Sequence, residues 1–272
     1  MPLSFPAHQG MIGPVKLRWP DRVDGTALCI SAAAPDLTYA MGTWMRDLGH
    51  TTLGVPVFVV PYTLMATWLV RWRAASGVFA ALPDLGPLRV RSYRVLGTKV
   101  PPLRNTFVGA LIGGGSHVLI DSFTHSGRWG ADLLGLNSVV GSVPLRGEMT
   151  VARTLGYLGH SLGSLAFVVL LLVIARGRHL ESWYGADAVE RARAVSISAW
   201  RRAAFWIFTL GPTMTFVLLG PSLIGRDRIF FPIIVLTATV LVTGAVIAPR
   251  DESSARGPRS SVPRNAQADS PG

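Results

Sequence analysis

The run Gly115-Ser116-His117-Val118-Leu119-Ile120-Asp121-Ser122-Phe123-Thr124-His125 is the densest group of reactive side chains in this 272-residue sequence. His117, Asp121 and His125 stand at i, i+4 and i+8. A helix through them puts all three on one face, each about 6 Å further along the axis. A histidine and a carboxylate one turn apart can close on a single divalent ion, which takes neutral imidazole nitrogen together with anionic oxygen. The preceding residues, Phe107 to Ser116, are almost wholly apolar. Ionisable groups at the end of such a stretch are costly to keep there and by default indicate function.

The elements that position these groups follow from composition. The chain is 49% hydrophobic and 15% charged, richer in apolar residues and poorer in charge than a typical soluble domain. Five segments approach the length needed to cross a hydrocarbon layer of about 30 Å at about 1.5 Å per residue. They run roughly Leu53–Val70, Thr106–Ile120, Leu155–Ala175, Ala203–Ile224 and Ile229–Ala248. The stretch Thr26–Ala34 is too short to span and reads as a re-entrant or interfacial helix ended by Pro35. The expected fold is therefore all-α, a polytopic membrane helical bundle forming one domain over residues 1–250. Residues 251–272, rich in Ser, Pro, Arg and Ala without apolar periodicity, read as a disordered polar tail. No basic segment precedes a compact apolar core at the N-terminus, so no cleavable leader is expected. The lone Cys29 excludes an internal disulfide and reads as a small buried apolar side chain.

The net charge of +11 reflects topology rather than nucleic-acid binding. Basic residues in successive gaps between spans, and in the tail, number seven, three, six, two and four. The rich loops, Arg71 to Arg104 and Arg176 to Arg202, are then cytoplasmic, in an inner or plasma membrane. Lys16, Arg18, Arg22 and Arg46 run against this pattern, because five spans put the N-terminus outside.

Antiparallel spans bring the remaining candidates to the same side. His50 precedes the first span, the second carries His117, Asp121 and His125 towards its exit, and His160 lies in the first turns of the third. His8 and Asp36 precede the first span on that side. These seven residues are the candidate metal ligands, enough for one ion or two. Zinc is the expected metal, with manganese or iron as alternatives. His179, in a basic loop, reads as an interfacial anchor. Gly113-Gly114-Gly115 lacks the Gly-Lys-Ser/Thr ending of a phosphate loop. Gly109-x-x-x-Gly113 and Gly159-x-x-x-Gly163 fit close helix packing instead. Trp68, Trp72, Trp200 and Trp206 flank the span ends as belt residues.

Several of these motifs together resemble a known family. They are Ser4-Phe5-Pro6-Ala7-His8, Ala34-Pro35-Asp36, Gly49-His50 before a span, His117-x-x-x-Asp121-Ser122-Phe123-Thr124-His125, and His160 near the next span's start. The pattern resembles the domain-of-unknown-function family 4184 of prokaryotic membrane proteins, similar to inner-membrane metal-dependent hydrolases. The resemblance covers about Pro2 to Leu172. It implies that His8, Asp36, His50, His117, Asp121 and His125 occupy the family's polar motif positions, with His160 matching less closely.

The expected activity is membrane-embedded, metal-dependent hydrolysis, with Asp121 and Asp36 as the catalytic carboxylates. The site's location suits a lipid or lipid-linked ester or phosphoester, and membrane lipids are the expected partners. A metal-binding transporter and a structural protein whose polar cluster only orders helices are the alternatives. Reporter fusions after Arg94 and Arg193 are expected to read cytoplasm, and fusions at Leu136 and Arg226 the opposite compartment. The same compartment at Arg94 and Leu136 would end the five-span reading.

Overall fold

Apolar residues on every side, interrupted by little charge, give this chain helices that must satisfy their backbone hydrogen bonds internally. The computed structural model describes residues 4–144, 147–224 and 231–249. The segment expected to be a disordered tail lies outside the described residues. Three short N-terminal helices come first, α1 (Ser4–Ile12), a five-residue helix Pro14–Arg18 and α2 (Gly25–Ser31), followed by a four-residue turn of helix at Ala34–Leu37. Then come α3 (Val55–Ala81), α4 (Leu103–Thr124), α5 (Val151–Arg176), α6 (Ala199–Ile224) and α7 (Phe231–Ile247). The helices α3, α4 and α5, and α6 as far as Leu219, are long and apolar enough to cross a membrane. The fifth expected span is the shorter helix α7, whose apolar stretch is Ile234–Ile247.

The first span departs from expectation. It continues past Val70 to Ala81, carrying Arg71 and Arg73 inside the helix. Charge alone placed its end at Val70, but nothing before Pro83 breaks a helix. Two wide turns relieve local constraints. Val60 N–H reaches Val55 O just before Pro61, which has no N–H of its own, and Ala75 N–H reaches Val70 O. The second span is longer than Thr106–Ile120 at both ends, so Asp121 stays helical and His125 caps it. Residues Val195–Ser198 separate the helix Ala186–Ala194 from the start of α6. Between α4 and α5 stands an exposed antiparallel hairpin of β1 (Val139–Val143) and β2 (Gly147–Thr150), pairing Val143 with Gly147 and Val139 with Thr150.

Residues 4–37 form a helical hairpin that enters the bundle and returns. On the way in, α1 lies along α5. A Cβ on Gly10 would come within 1.9 Å of Gly163 O, so the two backbones touch there, whereas Gly159 has no neighbour as close. Lys16 then sits beside the basic loop after α5, its Nζ 4.8 Å from the Trp183 ring centre. The return arm, α2, runs beside α4. Asp24 N–H donates to Asn105 O, a Cβ on Gly113 would fall 1.9 Å from Ser31 Oγ, and the Ala32 carbonyl meets His117. Thus Lys16 and Asp21, whose carbonyl accepts from Asn105 Nδ2, lie at the basic-loop end of the bundle, while His8 and Asp36 lie at the other. The N-terminal basic residues around Lys16 therefore conform to the charge asymmetry they had contradicted.

At the turn of this hairpin, Asp24 and Arg71 form a buried ion pair at 2.7 Å. Asp24 also caps α2 through Thr26 N–H and accepts from Thr106 Oγ1, while Arg71 donates to Leu96 O and Lys99 O. Removing one partner leaves a buried charge without compensation. Arg71→Leu is expected to destabilise the protein by about 3–5 kcal/mol. Asp24→Asn combined with Arg71→Leu is expected to recover part of that loss, read as melting temperature in detergent. A double variant no better than the single would show that the pair is not the source.

Candidate metal centre

Four elements bring six of the seven candidate side chains to one end of the bundle. The last turns of α4 supply His117 and Asp121, with His125 as its cap. His50 ends the helix Thr43–Gly49 just before α3, and its arrival beside His117 shows that α3 and α4 run antiparallel. The incoming arm of the N-terminal hairpin supplies His8, and the returning arm supplies Asp36. His8, His50, His117 and Asp121 are all buried.

Asp121 is the centre of the group. Its Oδ2 lies 3.4 Å from His117 Nε2 and 3.9 Å from His50 Nε2. Its Oδ1 lies 3.7 Å from His8 Nε2 and 3.6 Å from His125 Nδ1. Asp36 Oδ1 closes the other side, 3.5 Å from His50 Nε2 and 3.7 Å from His117 Nε2. The His8 and His117 rings stack with centres 4.0 Å apart. Two sets of ligand atoms lie within 4.8 Å of one another: His8, His117 and Asp121, and Asp36, His50 and His117.

Backbone carbonyls fix the ring orientations. His117 Nδ1 is 2.9 Å from Ala32 O, and His50 Nδ1 is 2.8 Å from Arg46 O. A carbonyl oxygen can only accept, so each Nδ1 donates its N–H and each Nε2 is the atom turned towards the carboxylates. Those Nε2 atoms, and both nitrogens of His8, are buried without a hydrogen-bond partner. Leaving a buried polar atom unsatisfied costs about 1–3 kcal/mol. A cluster that merely ordered helices would pair these atoms, whereas a cation would satisfy them together. The spacing fits the same reading, because donors about 2.0–2.1 Å from a tetrahedral ion stand about 3.3–3.4 Å apart.

Burial, assisted by His117, lowers the His8 pKa to about 3, and burial lowers that of His125 against the pull of Asp121. Both imidazoles are therefore neutral near pH 7, the form that binds metal.

His160 and His125 stand apart from the two ligand sets. His160 hydrogen-bonds its own helix at Gly156 O and meets His8 edge-on at 6.1 Å. His125 is about a quarter exposed. His179 stacks on Trp183 in the basic loop, away from the cluster. Three supporting residues carried no sequence signal: Tyr39, edge-on to His50 at 5.3 Å; Arg128, donating to His50 O; and Gln9, donating to Cys29 O. Arg71 did carry one, as a charge abutting an apolar run, but it read as a loop residue.

A family profile described as Domain of unknown function (DUF4184) matches residues 1–249. No curated protein and no solved structure matches the chain. With all but the last residues of the sequence covered, and the histidine and aspartate motifs inside the match, the chain belongs to the DUF4184 family.

Proposed function

We propose that the protein is a membrane-embedded, metal-dependent hydrolase acting on an ester or phosphoester presented at the membrane face where the histidines gather. The Nε2 atoms of His8, His50 and His117, buried beside two carboxylates and without a hydrogen-bond partner, are the observation that supports this reading. Asp36 Oδ1, His50 Nε2, His117 Nε2 and Asp121 Oδ2 make one mixed nitrogen and oxygen set suited to zinc, with manganese or iron as alternatives. Asp121 Oδ1 lies beside both His8 and His125, so Asp121 can serve a second ion as well. His117 can serve only one ion, since its Nδ1 is committed to Ala32 O. His160 then steadies the His8 ring instead of binding metal.

A divalent ion held here supplies Lewis acidity and makes water a competent nucleophile near neutral pH. The side chains divide the remaining work by exposure. Asp121, 5% exposed, holds its place between the imidazoles. Asp36, 21% exposed, is the more accessible carboxylate and can accept a proton from incoming water and release it to the leaving group. Tyr39, against His50, narrows the approach. The cluster's place at one end of the spans favours a substrate held in the membrane or at its surface. The proposed setting is an inner or plasma membrane with the basic loops cytoplasmic, which puts the cluster on the opposite face.

A metal transporter is the second reading. The Asp24–Arg71 pair, at the far end of the arm that carries Asp36, places buried charge at two depths along one path.

Protein purified in detergent is expected to retain a divalent ion. His117→Ala and Asp121→Asn should lose it, and His179→Ala should keep it. Metal-dependent hydrolysis of a phosphoester and carboxyl-ester panel should fall in Asp121→Asn by more than the roughly 10–100-fold cost of altering an outer-shell partner. No bound metal, and no thermal shift with added zinc, manganese or iron, would remove the centre. Zinc or manganese accumulation in proteoliposomes without any hydrolysis would establish the transporter instead.

A further inference from the structure

The basic-loop end of the bundle carries a feature that the metal centre does not use. A cavity of about 410 Å³ opens there, lined by Arg71, Arg73, Arg94 and Arg191 with Trp72 and the Ala248–Pro249 end of α7. No carboxylate lines it among the described residues. Asp24 neutralises Arg71 from behind. Arg73 donates to Ala245 O, and Arg94 donates to Ser76 Oγ and Ala192 O, so their fixed guanidinium groups keep positive charge at the wall. Arg191 extends from the exposed side of Ala186–Ala194. Positive-inside bias accounts for a surplus of arginine on this side but not for four of them converging on one concave site.

Planar guanidinium groups suit phosphate, which they bind through paired N–H donors. The depth of the cavity points to the source of that phosphate. Trp72 is 61% exposed and stacks on Trp68 with ring centres 5.0 Å apart, as indoles do at the headgroup level of a bilayer. An apolar groove of about 600 Å³ between α6 and α7 lies on the other side of the same helix end, lined by Trp200, Phe208, Val242, Val246 and Ile247. Its last residues, Val246 and Ile247, run directly into Ala248 and Pro249 of the arginine cavity. Anionic headgroup chemistry and acyl-chain chemistry therefore adjoin at the end of one helix.

We propose that this face binds an anionic phospholipid, with its phosphate among Arg71, Arg73, Arg94 and Arg191 and an acyl chain along the α6–α7 groove. The site is separate from the metal cluster. Arg71 comes sixteen residues after Val55, about 24 Å further along α3 than the end beside His50. Its test is independent of metal content or hydrolysis.

The test is thermal stability and native mass spectrometry of the full chain in neutral detergent, with phosphatidylglycerol, phosphatidylcholine or inorganic phosphate added. Phosphatidylglycerol is expected to raise the melting temperature and remain bound, more than phosphatidylcholine does, and the effect should weaken as salt rises. A basic side chain near an anionic lipid surface contributes about fivefold in affinity, so Arg191→Gln should weaken phosphatidylglycerol binding about fivefold and Arg73→Gln with Arg191→Gln about 25-fold. Arg46→Gln, on the opposite face, should leave it unchanged. Equal binding of phosphatidylcholine, or undiminished phosphatidylglycerol binding in both arginine variants, overturns the proposal. Inorganic phosphate matching the lipid at equal concentration overturns the lipid as occupant.

Discussion

The hydrogen bond from His117 Nδ1 to Ala32 O holds two chemical requirements in one place. Ala32 caps the C-terminal end of α2, where carbonyls have lost their helical donors and, in an apolar layer, cannot turn to water. His117 lies in the interior of α4, where an imidazole needs a partner for its N–H. Joining them satisfies both groups, fastens the returning arm of the N-terminal hairpin to α4, and selects the tautomer that aims Nε2 at Asp36 and Asp121. His50 repeats the device with Arg46 O, also near a helix end. Helix ends within the bundle thus orient the rings of the centre, the role that outer-shell carboxylates or carbonyls play in metal sites generally.

That arrangement depends on how closely the hairpin can approach the spans. Between helices in lipid there is little hydrophobic drive, so association rests on backbone proximity and shared hydrogen bonds. Gly113 meets α2 and Gly163 meets α1, each at a distance that leaves no room for a Cβ. The glycines bring the inserted arms to the spans, and with them His8 and Asp36, rather than drawing the spans themselves together. At the turn, Asp24 and Arg71 settle how far the hairpin enters. Arg71 brings Leu96 O and Lys99 O into the same network, which ties the first basic loop to the hairpin.

Helical spans and the gathering of these polar side chains at one end were legible in the sequence because both are written in short periods. The i, i+4, i+8 spacing of His117, Asp121 and His125 fixes a shared face, and antiparallel connection of apolar runs fixes which ends meet. Legibility failed where the outcome depended on distant partners. Arg71 looked like a boundary because the pairing that lets it stay in a helix comes from Asp24, 47 residues earlier. The seven-residue α2 looked interfacial because its length says nothing about a neighbouring arm, and only with α1 beside α5 does the path across the bundle become visible. His160 lies on the expected helix and at the expected end, its Nδ1 held by Gly156 O as those of His50 and His117 are held by carbonyls, but outside the two ligand sets. The β1–β2 hairpin left no pattern, since Val139, Val140 and Val143 are all exposed and no alternation distinguishes its faces.

The two ends of the bundle solve opposite electrostatic problems. At one end, imidazoles and two carboxylates gather with several ring nitrogens left without a hydrogen-bond partner. At the other, arginines converge on a cavity that no carboxylate lines among the described residues, an arrangement short of negative charge. Inside a single chain these could cancel only by contact, and the length of α3 keeps them apart. The cation proposed for the histidine end and the anion proposed for the arginine end answer one constraint, that charge removed from water has to be matched nearby. The N-terminal hairpin is the element common to both, since Asp24 at its turn pairs with Arg71 while His8 and Asp36 at its open end face Asp121 and His117.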